Sequence, residues 1–230
     1  MIVDRTSHAP GRYRLRDRAP SEVDLVVLHQ TGTQQDLPQS TLDKTRAHAL
    51  ILDDGTVLRL HPWTARLRYG SGPWNARCIT IEHRANLPGR YVKGQGRWWR
   101  PAPPKNFEGT PAAWRARCDA ELSPDTWDAD ARRAQVLASR ALLRQLRDEL
   151  PALKFIGAHR QVQAGKGGCP GPDLWREVGE WAIRELGFEL VEVAPTGSPL
   201  PPNWRQAPTI RDVVEPATRL YDGPVAADSP

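Results

Sequence analysis

The chain has 230 residues, of which 39% are hydrophobic and 26% charged, a composition typical of one globular domain and unlike disordered, collagen-like or coiled-coil chains. No apolar run approaches the roughly 20 residues that cross a membrane, and the N-terminal residues MIVDRTSHAPGRYRLRDR contain no apolar signal-peptide segment. The net charge of +5 comes almost entirely from arginine. This positive charge favours anionic partners. Three kinds of partner are compatible with it: nucleic acid, an acidic cell-wall polymer and a membrane surface. We therefore expect a chain made in the cytoplasm without stable membrane insertion.

The first part of the chain predicts an arm, a buried strand, a short helix and a hairpin. Residues 1–22 are polar and basic and are expected to form an N-terminal arm lying over the domain. The run VDLVVLH at 23–29 is apolar and β-branched, as in a buried central strand, so His29 lies at a strand end. QSTLDKTR at 39–46 predicts a short helix, and HALILDDGTVLRL at 48–60 predicts two strands joined at its DDG turn.

The run CITIEHR at 78–84 is the next predicted strand. Successive side chains of a strand point to opposite faces of the sheet. One face is therefore predicted to carry Ile79, Ile81 and His83, and the other Cys78, Thr80, Glu82 and Arg84.

The second part of the chain predicts a long insertion followed by two helices that flank a strand. Residues at about 86–124 are rich in Trp, Pro and Gly and are expected to form an irregular insertion. Apolar residues at helical spacing predict helices over 126–150 and 173–186. Between them, KFIGAH at 154–159 predicts a short strand that again ends in histidine. Residues 188–230 are proline-rich and are expected to form a tail.

Two histidines at strand ends and one cysteine form a candidate metal site. His29 and His159 each end a predicted strand, and Cys169 follows in the glycine-rich loop QAGKGGCPGP. Imidazole and thiolate both suit zinc, and catalytic zinc commonly has three protein ligands. Three cysteines are too few for a disulfide framework, which favours a reducing compartment or a metal role. From the residues alone, two core histidines with a buried thiol remain the alternative, and Asp173 is a competing oxygen ligand.

Four separate blocks of the sequence match the order and approximate spacing of one known family. The blocks are VVLHQTGT, RAHALILDDGTVLRL, NARCITIEHRAN and IGAHRQVQAGKGGCPGPDLW. With them the chain resembles the zinc-dependent N-acetylmuramoyl-L-alanine amidases of type two, relatives of phage lysozyme-type amidases and peptidoglycan recognition proteins. The resemblance covers roughly residues 22–186, without the Trp-rich insertion. It implies an α/β fold with a central mixed β-sheet flanked by helices, and a catalytic domain at 23–187.

The resemblance also implies roles for individual residues. It makes His29, His159 and Cys169 the zinc ligands. Glu82, in ITIEH, matches the family glutamate that acts as general base or orients water. Lys166 is the candidate for stabilising the oxyanion, although Gly167 and Gly168 separate it from Cys169 where the family usually has one residue. Some relatives use a tyrosine where this chain has Ala47, so the glutamate branch is the better match.

Further residues are candidates for contact with the substrate. Asn75 and Arg77 lie in the family's WN-R segment, and Tyr69 stands where relatives often carry a histidine. In the insertion, Trp98 and Trp99 offer flat faces for stacking on a sugar. The alternative is that these tryptophans only fasten the insertion to the domain.

The function implied by the resemblance is hydrolysis of the amide bond between the lactyl group of N-acetylmuramic acid and L-alanine, in peptidoglycan or in muropeptides. The alternative is a catalytically silent module that binds peptidoglycan. No helix-turn-helix, zinc-finger or RNP signature supports a nucleic-acid partner. Without a signal peptide, we expect action in the cytoplasm on recycled fragments, or on the cell wall after phage-type release or dedicated secretion.

Overall fold

A mixed sheet of seven strands forms the centre of the computed structural model, which describes residues 1–31, 38–84, 108–110, 129–166, 168–208 and 210. The strand order across this sheet is β1-β5-β4-β7-β3-β8-β9, and β2 and β6 form a separate antiparallel pair. The strands are β1 Ile2–Asp4, β2 Arg14–Asp17, β3 Leu25–Gln30, β4 Ala49–Ile51, β5 Val57–Arg59, β6 Ala65–Leu67, β7 Cys78–His83, β8 Phe155–Ala158 and β9 Glu189–Leu190.

The strand β3 is an interior strand of the sheet and carries the first candidate ligand. It lies between β7 and β8 and is parallel to both. Its four residues from Leu25 to Leu28 are fully buried, as expected for a parallel strand covered on both faces. The predicted central strand is confirmed. The predicted hairpin is confirmed as well, since β4 and β5 are antiparallel and Gly55 turns between them with a φ of +83°.

The alternation predicted for β7 is confirmed by the two faces of the sheet. Ile79 and Ile81 pack with Val26 and Leu28 in the main core cluster, together with apolar residues of the long helix. Burial of each such side chain contributes roughly 1.5–3 kcal/mol. The opposite face carries a smaller cluster, which includes Leu25, Val27, Trp74, Cys78, Val162 and Val191. The candidate ligand of β3 therefore points to the face with the smaller apolar cluster.

Five α-helical segments complete the described fold. They are α1 Gln39–Leu42, α2 Ala129–Glu149, α3 His159–Val162, α4 Pro172–Leu174 and α5 Trp181–Leu186, with a π-helical Trp175–Glu180 between α4 and α5. The helix α1 is four residues shorter than predicted. The helix α2 ends just before Pro151, which cannot continue a helix, and Gly187 ends α5 in the left-handed conformation with a φ of +68°.

The two terminal segments are more closely joined to the domain than the predicted arm and tail. In the N-terminal segment β1 pairs with β5, and in the C-terminal segment β9 pairs with β8. Beyond β9, Trp204 is fully buried. The backbone N–H of Ala194 donates to the Gln161 carbonyl at 2.9 Å, and that of Ser198 donates to the Arg160 carbonyl at 2.8 Å. Strands of two or three residues are too short to show an alternating pattern in the sequence, which is why they were not predicted.

The predicted insertion at 86–124 lies outside the described residues, except for 108–110. Trp98 and Trp99 also lie outside the described residues. In the part of the chain that the structure describes, no helix is both long and apolar enough to cross a membrane.

Candidate functional site

Two candidate ligands and the candidate base come together at the carboxyl ends of three adjacent parallel strands. His29 is the fifth residue of β3, and Glu82 is its register partner on β7. His159 follows directly after β8. The sequence predicts a strand that ends in His159, whereas this residue begins α3. The chain turns there because the Gln161 side chain accepts a hydrogen bond from the Ala158 N–H at 2.8 Å, which caps the new helix.

The three predicted ligands form one compact cluster. One potential ligand atom from each of His29, His159 and Cys169 lies within 4.8 Å of the others. The two imidazole rings have their centroids 4.0 Å apart with an interplanar angle of 44°. The Sγ atom of Cys169 accepts a hydrogen bond from the Gln30 backbone N–H at 3.3 Å. The backbone that carries the first ligand therefore also holds the third.

Burial sets the protonation of the cluster. It lowers the pKa of His29 well below its ordinary value and, with a smaller effect of Lys166, lowers that of His159 to about 4. Both rings are consequently neutral near pH 7, as metal ligation requires. Burial raises the pKa of the Cys169 thiol. A bound cation would compensate for this, because a metal stabilises the thiolate form.

Glu82 is the acidic group of the cluster. Its Oε1 lies 3.8 Å from His29 Nδ1, and 19% of its side chain remains exposed. Among the residues that the structure describes, no hydrogen-bond partner reaches its buried Oε2. Burial raises the pKa of the carboxyl to about 7, an effect that the charge of Lys166 opposes. A carboxylate oxygen that has no partner within the described part of the chain and lies beside three ligand atoms is available to a water molecule or a substrate.

Lys166 lies at the edge of this cluster. It ends the 3-10 helix Ala164–Lys166 and is exposed. Its backbone carbonyl accepts the Cys169 N–H at 2.8 Å, which holds Lys166 next to the third candidate ligand. The charge of Lys166 acts on Glu82 and on both histidines of the cluster. An exposed ammonium group of this kind can approach a bound substrate.

A buried hydroxyl pair that the sequence analysis did not single out lies behind His29. The Nε2 atom of His29 is 3.1 Å from Ser71 Oγ, which in turn is 3.2 Å from Thr80 Oγ1. Both hydroxyl residues are buried. The alternation of β7 already placed Thr80 on the face of Glu82. Ser71 could have been suspected only from its position in the GSG sequence.

The remaining candidates are distributed around and away from the cluster. Asn75 binds its own loop, since its Oδ1 accepts the Ser71 N–H at 2.8 Å. Arg77 precedes β7, at the end of the strand opposite Glu82, and forms a bidentate pair with Asp24 at 2.6 and 2.5 Å. Asp173 lies in α4 with an Arg176 nitrogen 3.3 Å away, and it is not a member of the cluster.

The mixed sheet with its flanking helices, and this cluster at the ends of its strands, agree with the fold that the resemblance to the type-two amidases implies. A family model described as N-acetylmuramoyl-L-alanine amidase, Amidase_2, matches residues 19–172, more than half of the chain. The chain belongs to this family. No curated protein matches the sequence.

Several solved structures are similar to this chain. The N-acetylmuramoyl-L-alanine amidase LysC from Clostridium intestinale URNW is 17% identical, with a TM-score of 0.48 over 82% of this chain and 99% of that chain. The Ph2119 endolysin from Thermus scotoductus MAT2119 bacteriophage Ph2119 is 20% identical, with a TM-score of 0.45 over 74% of this chain and 92% of that chain. Bumblebee PGRP-SA is 15% identical, with a TM-score of 0.47 over 85% and 98% respectively.

Proposed function

We propose that this protein is a zinc-dependent amidase that cleaves the bond between the lactyl group of N-acetylmuramic acid and L-alanine. The observation that carries the proposal is the cluster of His29, His159 and Cys169 beside Glu82, whose Oε2 has no partner among the described residues. Membership of the amidase family supports an amidase or a peptidoglycan-binding protein. The ligand cluster next to a carboxylate favours an amidase over a protein that only binds peptidoglycan.

The donor set fits zinc. Two imidazole nitrogens and one thiolate are a common set of three protein ligands for this ion, and they leave a position open. The neutral histidines and the orphaned Glu82 oxygen agree with such a site. When bound, zinc supplies Lewis acidity that polarises an amide carbonyl and makes water more acidic.

Glu82 performs the proton transfers in this proposal. Its carboxyl lies beside the ligand atoms, with Oε1 3.8 Å from His29 Nδ1, where it can accept a proton from water and return it to a leaving group. The carboxylate takes a proton from the attacking water and delivers it to the nitrogen of the departing L-alanine. The partial exposure of the side chain gives the substrate access to it.

Lys166 stabilises the negative charge that develops on the carbonyl oxygen. A donor of this kind contributes about 3 to 4 kcal/mol to the transition state in other hydrolases. Its exposed position on the loop before Cys169 lets the flexible ammonium group reach the oxygen when substrate is bound. Asn75, Arg77, Trp98 and Trp99 stay predictions as contacts for the rest of the substrate.

Incubation with purified sacculi and with soluble muropeptides, each with and without a chelator, tests the proposal. We expect mass spectrometry to find free stem peptides that begin at L-alanine, and we expect them to vanish with chelator. The preferred substrate distinguishes two places of action. Preference for soluble muropeptides would indicate recycled fragments in the cytoplasm, and preference for sacculi would indicate the cell wall, reached after phage-type release or dedicated secretion. Absence of peptides from both substrates with zinc-loaded protein would contradict the enzyme.

The second candidate function is peptidoglycan binding without cleavage. Two features favour it: Ala47 is fully buried where some relatives carry a catalytic tyrosine, and two glycines separate Lys166 from Cys169. A sedimentation assay with sacculi distinguishes it, because a silent module stays bound to intact polymer and releases no product.

A further inference from the structure

We propose that Ser71 is a positioning residue for His29, accepting a hydrogen bond from its Nε2–H so that Nδ1 is the nitrogen that faces a metal ion. The inference rests on the metal site of the proposed function and goes beyond it, because it assigns a role to a residue outside the ligand set. The supporting geometry is a distance of 3.1 Å between His29 Nε2 and Ser71 Oγ, with both residues almost completely buried.

The two nitrogens of His29 face different surroundings. Nδ1 lies 3.8 Å from Glu82 Oε1 and so faces the reacting side of the cluster, whereas Nε2 faces the serine hydroxyl. A neutral imidazole carries a proton on one nitrogen only, and only the other can bind a metal. A hydrogen-bond acceptor at Nε2 therefore keeps the proton there and leaves Nδ1 free. Groups of this kind commonly orient metal-binding histidines.

The neighbours of Ser71 are compatible with a hydrogen bond donated by His29 Nε2–H to Ser71 Oγ. Ser71 Oγ has a second neighbour, Thr80 Oγ1, at 3.2 Å, and Thr80 Oγ1 lies 3.8 Å from Cys78 Sγ. His29 can donate to Ser71, Ser71 to Thr80, and Thr80 to the sulfur. Each donor then has an acceptor in a buried region, where an unpaired polar group would cost about 1–3 kcal/mol.

The turn that carries Ser71 is built to aim its hydroxyl inward. The flanking Gly70 and Gly72 have φ values of +129° and +53°, which favour glycine. A Cβ atom on Gly70 would lie 3.0 Å from Thr80 Oγ1. Asn75 closes the turn, accepting the Ser71 N–H at 2.8 Å and donating to the Arg68 carbonyl at 3.2 Å.

Thr80 is fixed from the other side by a buried histidine. The Thr80 N–H donates to His48 Nδ1 at 3.0 Å, so His48 carries its proton on Nε2 and donates it to the Ala65 carbonyl at 2.7 Å. Arg18 donates to the same carbonyl at 2.8 Å. Arg18 directly precedes the residues matched by the family model. Hydrogen bonds through His48 and the Ala65 carbonyl therefore connect the Ser71–Thr80 hydroxyl pair to Arg18, in the N-terminal segment.

Nitrogen-15 NMR of the histidine rings tests the inference without measuring activity. In zinc-free wild-type protein, long-range proton–nitrogen correlations are expected to show His29 as the Nε2–H tautomer. Ser71→Ala is expected to lose this preference and to weaken zinc binding, measured by competition with a chromogenic chelator, by roughly 10- to 100-fold. Ser71→Thr keeps the hydroxyl and is expected to restore both properties. Thr80→Ser, which also keeps a hydroxyl, is the matched control.

An Nδ1–H tautomer in the wild type would overturn the inference, and this measurement needs no variant to fold. Zinc affinity and tautomer left unchanged by Ser71→Ala would overturn it too. Failure of the proposed function is distinguishable: protein that binds zinc but releases no stem peptide contradicts the amidase and leaves the role of Ser71 measurable. If the wild type binds no zinc, the metal site fails, while the tautomer comparison still decides whether Ser71 orients His29.

Discussion

His29 and Glu82 occupy paired register positions on the adjacent parallel strands β3 and β7, and their side chains meet on one face with Nδ1 and Oε1 3.8 Å apart. Residues paired across parallel strands point to the same face of the sheet. A candidate ligand and a candidate base are therefore held by the backbone register itself. The register fixes the distance between the two backbone positions and the face that both side chains share.

Glu82→Gln is expected to retain zinc and to reduce turnover by about 100- to 10,000-fold, since the amide keeps the size of the side chain but cannot accept the proton. Metal analysis and release of stem peptides measure the two properties separately. Full activity of this variant would remove Glu82 from the mechanism.

Cys169→Ala is expected to abolish zinc retention and activity, because it removes the thiolate from a set of three ligands. Cys78→Ser is the control, because it removes a buried thiol but keeps an acceptor for the Thr80 hydroxyl. Cys78 is also a buried free cysteine, but it lies at the other end of its strand and outside the ligand cluster. We expect zinc content after dialysis to fall in the first variant and to remain near stoichiometric in the second. Equal zinc content in both would contradict the ligand assignment.

Acid is expected to destabilise the fold through His48. Burial, together with the charges of Arg18 and His61, lowers the pKa of His48 to about 3, although its hydrogen bond to Ala65 acts in the opposite direction. Between pH 6.5 and 3 the His48 ring is protonated in the unfolded chain but stays neutral in the folded protein. The free energy of unfolding therefore falls by about 1.4 kcal/mol per pH unit from this group.

Urea unfolding of wild type and His48→Asn between pH 7 and pH 5 measures this effect. The variant lacks the titrating ring, so its stability is expected to decline less steeply as the pH falls. Parallel declines in the two proteins would exclude His48 as the cause. Other buried histidines act in the same direction and are common to both proteins, so the comparison isolates this one.

Arg46 and Tyr69 are expected to contact the substrate. The Arg46 guanidinium lies 4.6 Å from the Tyr69 ring centroid, and Tyr69 is 43% exposed. Tyr69 stands two residues before Ser71, and among the described residues no carboxylate forms an ion pair with Arg46. Arg46→Ala is expected to raise KM several-fold with little change in kcat, as removal of a uniform binding contact does.

Lys154→Ala is the control for this measurement. It removes one exposed positive charge that is paired with Glu189 at 3.0 Å, before the start of β8 and away from its histidine end. A KM that rises equally in both variants would indicate only a general effect of net charge. An unchanged KM in Arg46→Ala would remove this arginine from the binding surface.

The sequence predicted those parts of the fold that depend on local patterns. The alternation in CITIEH determined which face carries Glu82, and Pro151 and Gly187 marked the ends of two helices. Contacts between distant segments could not be predicted in this way. The pairing of Arg77 with Asp24 joins residues 53 positions apart, and the contact of Ser71 with His29 joins residues 42 apart. Neither has a signature in a single sequence.

The C-terminal segment affects when the site can become functional during synthesis. It pairs with β8 and bonds the backbone of α3, the helix that His159 begins. These residues leave the ribosome after all three candidate ligands. A nascent chain therefore displays its histidines and its thiol before it possesses the scaffold that fixes them. In the proposed zinc amidase, tight binding of the metal is therefore expected only after this segment has been synthesised.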